Sequence, residues 1–214
     1  MLENPAIGKK IEIIYEDDAI AIINKPAEFL SVPGKNISDS VLSRLKLLYP
    51  DAEGPLLVHR LDMSTSGIMV MAKTIAAHKY IQSQFIKRQV YKKYVAILDG
   101  VLKEKEGIVD LPLRVDLNDR PRQLVCYKHG KKAKTKWKVL EVKNNQTRIK
   151  FIPLSGRTHQ LRVHSAHTNG LGIPILGDDL YGVLKDRMHL HAETIIFIHP
   201  ITRKEVKFVI KAPF

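Results

Sequence analysis

Apolar and polar residues alternate with period two in some stretches and recur every three to four in others, and these rhythms divide the chain. Two short apolar runs, 11–15 and 19–23, flank Glu16-Asp17-Asp18 and predict a β-hairpin. A loop follows from Asn24-Lys25-Pro26 to Val32-Pro33-Gly34, with turn residues at both ends. Ser38 stands where a cap would start a helix to about Tyr49, with Val41, Leu42, Leu45 and Leu48 on one face and Pro50 to stop it. Residues 55–58 predict a buried strand that delivers His59-Arg60-Leu61-Asp62 at its end, and 67–72 predict another. Thr74 caps a second helix to about Arg88, whose inner face would carry Ile75, His78, Ile81 and Phe85.

Beyond Tyr91 the pattern is strand-rich: 94–98, 123–127, 134–142 and 147–153, then a short helix over 158–167 and strands over 194–198 and 205–210. In 134–142, Thr135, Trp137 and Val139 alternate with Lys134, Lys136 and Lys138, so one face should be buried and the other cationic. Strands without regular βα alternation predict an α+β fold with a mixed, largely antiparallel sheet and flanking helices. There are no repeats, no low-complexity tract and no interdomain linker, so 1–214 is expected to be a single domain.

Charge changes the picture. Lys and Arg number 35 against 22 Asp and Glu, a net +13, which points toward polyanions and first toward phosphate backbones. Candidate phosphate contacts are Lys131-Lys132, Lys134, Lys136 and the pair Lys87-Arg88. With Cys126 as the single cysteine, no intramolecular disulfide and no multi-cysteine zinc site can form. Met1-Leu2-Glu3-Asn4-Pro5 has no cationic lead into an apolar run, and no stretch approaches the ~18 apolar residues of a membrane span. A cytoplasmic protein without a membrane is the expectation.

Two clusters carry chemistry. In His59-Arg60-Leu61-Asp62-Met63-Ser64-Thr65-Ser66-Gly67 a carboxylate at a strand end follows a guanidinium and precedes hydroxyl residues and a glycine. Strand-end loops present reactive groups on a rigid base, and an aspartate can serve as nucleophile or base at neutral pH. Taken alone, an aspartate there is better read as capping a turn. In Pro153-Leu154-Ser155-Gly156-Arg157-Thr158-His159-Gln160-Leu161-Arg162-Val163-His164, Arg157 opens the predicted helix, where it could grip a carboxylate or phosphate bidentately.

The ordered pair His-Arg-Leu-Asp-x-x-Thr-Ser-Gly and Gly-Arg-Thr-His-Gln-Leu-Arg-x-His resembles the RluA-type pseudouridine synthase family. The resemblance extends over Asn24-Lys25-Pro26-Ala27, Ser31-Val32-Pro33-Gly34, Lys92-Lys93-Tyr94-Val95-Ala96, Pro174-Ile175-Leu176-Gly177-Asp178 and Leu190-His191-Ala192. Asp110-Leu111-Pro112-Leu113, Arg120-Pro121 and Val125-Cys126-Tyr127 narrow it to the RluA subgroup. It implies the pseudouridine synthase catalytic fold with an active-site cleft across the sheet, and isomerisation of uridine in 23S rRNA, a tRNA anticodon stem-loop or both. It makes Asp62 the nucleophile, Tyr94 the aromatic against the target base, and Arg157 the partner of the catalytic carboxylate. Arg60, with His59 beside it, falls to RNA binding or to filling the gap left by a flipped base. Neither cofactor nor metal, no obligate protein partner and no N-terminal S4-type RNA-binding domain are expected. Two departures concern substrate choice: Glu28 stands where a glycine is common, and Ile173, in a lengthened 164–174 segment, where a histidine is usual.

The sequence also admits three rival functions. His159, His164 and His167 on one predicted helix, with His189 and His191, suggest a metal enzyme, but no carboxylate or cysteine completes a site. Ser64 and Ser66 near His59 lack a nucleophile-elbow pattern. An RNA binder without catalysis would have no need of Asp62, Tyr94 and Arg157 together.

Overall fold

The computed structural model describes residues 10–214; the segment Met1-Leu2-Glu3-Asn4-Pro5 lies outside them. The chain divides into two compact units, Met1–Tyr91 with Ala192–Pro213, and Lys92–His191 with Phe214.

In the first unit β1 (Glu12–Glu16) and β2 (Ile20–Lys25) form the expected hairpin, closed by Asp17, whose Oδ1 accepts the Ala19 and Ile20 amides. β2 pairs antiparallel with β3 (Ser66–Ala72), and β10 (Leu190–Ile198), whose residues from Ala192 belong to this unit, pairs with β11 (Glu205–Val209). Both β2 and β3 are almost wholly buried, which is why they read as continuous apolar runs. Their core gathers Ile20, Ile22, Ile68, Val70, Ile81, Ile195 and Phe197.

Helix α1 (Val41–Leu48) begins two residues later than expected, capped by Ser40 and not Ser38. Ser40 has Ser43 three residues on, and the two exchange side-chain and backbone hydrogen bonds at 3.1 and 2.8 Å. Ser38 has Val41 at that spacing, which can return nothing. Helix α2 (Ile75–Ile86) starts at Thr74 as expected, but buries Ala77, His78, Ile81 and Gln84, while Ile75 stays exposed. Gln84 explains the rotated face, since its amide exchanges two 2.8 Å bonds with the Ile198 backbone.

The stretch 55–58 is no strand. Leu56 takes a left-handed backbone (φ 47°), leaving one bridge, Leu57 to Met71. It hangs from its surroundings through Ala72 N–H to Leu56 O (2.7 Å) and a His78 Nε2–Leu57 O contact of 3.2 Å.

In the second unit β4 (Tyr91–Leu98), β9 (Gln146–Pro153), β8 (Lys134–Lys143) and β5 (Glu106–Asp110) lie in that order, each ladder antiparallel. β6 (Leu113–Val115) and β7 (Gln123–Val125) form a separate hairpin. β5 and β6 were not anticipated, because both are short and their apolar residues are too few to show a period. The alternation in β8 appears as expected, with Thr135 and Trp137 buried between exposed lysines. Helix α3 (Gln160–Ala166) covers that inner face, with His164 bonded to Thr135 (3.0 Å) and to Leu111 O (3.2 Å). Among the described residues, no helix is long and apolar enough to cross a membrane.

Candidate active site

The first unit carries His59, Arg60 and Asp62 on one turn, and each motif segment around it supplies a brace. Asp62 O accepts the Thr65 amide (3.1 Å), which closes the turn. On one side Ser31 Oγ donates to Leu61 O (2.6 Å) and accepts the Leu61 amide (3.2 Å). On the other, Met63 O accepts both the Phe29 amide (3.1 Å) and the ammonium of Lys25 (2.8 Å).

That ammonium is fully buried and also donates to Pro26 O (2.8 Å) and Phe29 O (2.7 Å). Three carbonyls thus replace water around the charge, the condition for keeping a lysine inside a protein. Lys25 sits at the end of β2 and reaches the residue that follows Asp62. Sequence patterning placed it in a loop motif without a task. A lysine at the end of a strand whose first four residues are apolar was the available signal.

Gly67 enters β3 with φ 114°, and a Cβ there would lie 2.3 Å from Ala192 O, so only glycine fits. His59 turns inward: Nε2 accepts the Val70 amide (3.1 Å) and the ring stacks on Phe85 at 4.9 Å. Arg60 is exposed and Asp62 half-buried. Glu28, in the loop that Lys25 ties down, has φ 54°, the left-handed conformation that glycine adopts without strain.

The second unit carries Tyr94 and Arg157 on separate segments. Tyr94 is half-buried in β4 opposite Phe151 of β9. Arg157 does not open a helix as expected. α3 starts at Gln160, preceded by His159 with φ 52°, so Arg157 lies on the turn before it. Its amide donates to Gln160 Oε1 (3.0 Å) and its Nε to Lys132 O (3.2 Å). Lys92, which sequence reading left without a role, has its ammonium on the Gly156 side of this turn, and burial lowers its pKa.

The helix histidines have partners within the fold. His159 meets the Tyr181 hydroxyl at 2.8 Å, and burial pulls the pKa of His164 down against the opposing Leu111 carbonyl and Asp110. Among the described residues no three His, Cys, Asp or Glu side chains are grouped to hold a metal ion. Two candidate phosphate contacts are engaged elsewhere or flanked by engaged neighbours: Lys134 pairs with Asp110 (2.7 Å), and Lys138, beyond Lys136, pairs with Glu106 (3.0 Å).

Residues 19–167 match the family model described as RNA pseudouridylate synthase, well over half of the chain. The chain belongs to the RNA pseudouridylate synthase family. It is therefore a pseudouridine synthase, an isomerase that acts on RNA. It is similar to the dual-specificity RNA pseudouridine synthase RluA of Escherichia coli K12, 43% identical over 99% of this chain and 97% of that protein. RluA of Haemophilus ducreyi is 43% identical over 96% of this chain and 95% of its own length. Among solved structures, human RNA pseudouridylate synthase domain containing 1 has a TM-score of 0.80 at 26% identity, covering 96% of this chain and 85% of that one. Its domain containing 4 counterpart reaches 0.75 at 30% identity, covering 94% and 88%. These likenesses agree with the α+β fold expected from the strand pattern.

Proposed function

We propose that this pseudouridine synthase isomerises specific uridines in 23S rRNA, in a tRNA anticodon stem-loop or in both, with Asp62 as nucleophile. The observation that carries the assignment is the turn itself: Ser31 on one side, Lys25 and Phe29 on the other, fix the backbone on both flanks of Asp62. A backbone so heavily braced suits a reactive carboxylate that must be presented from one place. The relatives described as dual-specificity RNA pseudouridine synthases support two RNA classes as substrates.

The target uridine must first leave its stack, which costs roughly a few kcal/mol and less in a loop. Asp62 then attacks ribose C1′ or uracil C6, or promotes a glycal route. On each route the C1′–N1 bond breaks, the base turns, a C1′–C5 bond forms, C5 loses a proton and N1 gains one. The balance is internal, so the reaction calls for neither cofactor nor metal. Tyr94 serves as the surface against the base and Arg157 as support for the carboxylate, roles that rest on the family motif. Arg60 is assigned to the RNA or to the gap the base leaves, and His59 serves that contact by anchoring the backbone beside it. Residues 1–214 act as one catalytic domain in the cytoplasm.

Incubation with separate tRNA and 23S rRNA transcripts, followed by carbodiimide mapping of pseudouridine, tests the substrate assignment. New adduct sites in either RNA support it. Their absence from both RNAs overturns it.

A further inference from the structure

Arg157 stands on a turn with no regular secondary structure, yet its main chain is held by a buried side chain three residues on. Gln160 is 4% exposed. Its Oε1 accepts the Arg157 amide (3.0 Å) and the Ser155 hydroxyl (2.8 Å). Its Nε2 donates to Lys134 O (3.1 Å) and Thr135 Oγ1 (2.9 Å), both on β8. One carboxamide thus uses two lone pairs and two hydrogens, and no other uncharged side chain of that length offers two of each on one planar group. Ser155 Oγ closes the ring by accepting the Lys134 amide (2.9 Å).

We propose that Gln160 is a positioning residue for the reaction, clamping the Ser155–Gly156–Arg157 turn to β8 so that Arg157 is presented in one fixed orientation. The proposal rests on the role given above to Arg157. The clamp reaches further than one contact. Thr135 Oγ1, having accepted from Gln160, is 3.0 Å from His164 Nδ1, whose Nε2 lies 3.2 Å from Leu111 O. With Nε2 donating to that carbonyl, Nδ1 accepts the Thr135 hydroxyl, and every donor along the path points the same way. The path ends in the core of the second unit, so the orientation of the Arg157 amide is set through buried groups that are themselves hydrogen-bonded. Arg157 Nε, bonded to Lys132 O at 3.2 Å, adds a second tie, two residues before Lys134 in the chain.

The test is single-turnover tritium release from C5-labelled RNA by wild type, Gln160→Ala, Arg157→Ala, the double variant and Gln160→Glu, with RNA affinity and thermal unfolding measured beside it. Gln160→Ala should slow the chemical step about a hundredfold, the scale of an ångström-sized misplacement, while RNA affinity holds. In the double variant the Gln160 change should add nothing to the loss from Arg157→Ala, because both act through one group. Gln160→Glu keeps both acceptors and loses both donors as a carboxylate, so its rate relative to wild type should rise as the pH falls and the carboxyl protonates. That variant keeps the test alive should Gln160→Ala fail to fold. Fully additive losses, or a folded Gln160→Ala at wild-type rate beside a slow Arg157→Ala, would overturn this proposal alone. Arg157→Ala at wild-type rate would overturn the Arg157 assignment, and this proposal with it.

Discussion

Replacing Lys25 by methionine keeps the length of the side chain and removes its charge. Each hydrogen bond from a charged donor adds about 1.5–3 kcal/mol, so the three carbonyl contacts represent roughly 5–9 kcal/mol in gross terms. Against this, methionine avoids the desolvation of a buried ammonium, which is several kcal/mol. The carbonyls decide the net sign. Met63 O retains the Phe29 amide, and Pro26 O is partly accessible to water, but Phe29 O is buried. An unmet buried acceptor costs about 1–3 kcal/mol, and the net destabilisation comes to about 3 kcal/mol. For a chain of this size that lowers the unfolding midpoint by about 6–12 °C. The loss falls on the flank of Asp62, so tritium release measured well below the midpoint should also slow, by about a hundredfold. Calorimetry and single-turnover release on one preparation read both effects. A variant that melts within about 2 °C of wild type and turns over at its rate would refute the view that this ammonium braces the turn.

Three further outcomes are expected. Gly67→Ala should destabilise by about 3 kcal/mol or more, or prevent soluble expression, because its Cβ meets Ala192 O at 2.3 Å; wild-type denaturant midpoints would contradict this. Arg88 follows the C-cap of α2 with φ 58°, while its amide and that of Gln89 bond Phe85 O and Gln84 O, so Arg88→Gly should relieve backbone strain and stabilise by about 0.5–1 kcal/mol in urea titration. Burial pushes the Asp17 carboxyl up, but the Ile20 amide, Tyr15 hydroxyl, Ala19 amide and His199 together bring it below its ordinary value. Its contribution is then complete above the unfolded value of about 3.9 and lost as pH falls through the lower folded one, so Asp17→Asn should flatten the acid limb of the stability curve; an unchanged slope would count against it.

How much of this was legible in the sequence depends on the kind of contact. Strands buried on both faces, such as β2 and β3, announced themselves as continuous apolar runs, and β8 by its alternation. The turn bearing Asp62 was located by its motif, but not its support, because Lys25 and Ser31 act across distances of about thirty to forty residues in sequence. Gln160 and Gln84 were invisible for the same reason: a buried amide looks like any polar residue until its partners are known. The backbone at Leu56 and His159 broke a predicted strand and shortened a predicted helix, since leucine gives no signal of a left-handed conformation and histidine only a weak one. At Glu28 the sequence did hold a hint, a non-glycine where the family commonly has glycine, and the positive φ is its physical content.

The central claim is that Asp62 performs the chemistry on RNA. Wild type and Asp62→Ala, each with tRNA and 23S rRNA fragments labelled with tritium at uridine C5, test it most directly. The account predicts tritium release by wild type alone, with salt-sensitive RNA binding retained by both proteins. Release by Asp62→Ala at the wild-type rate would contradict it.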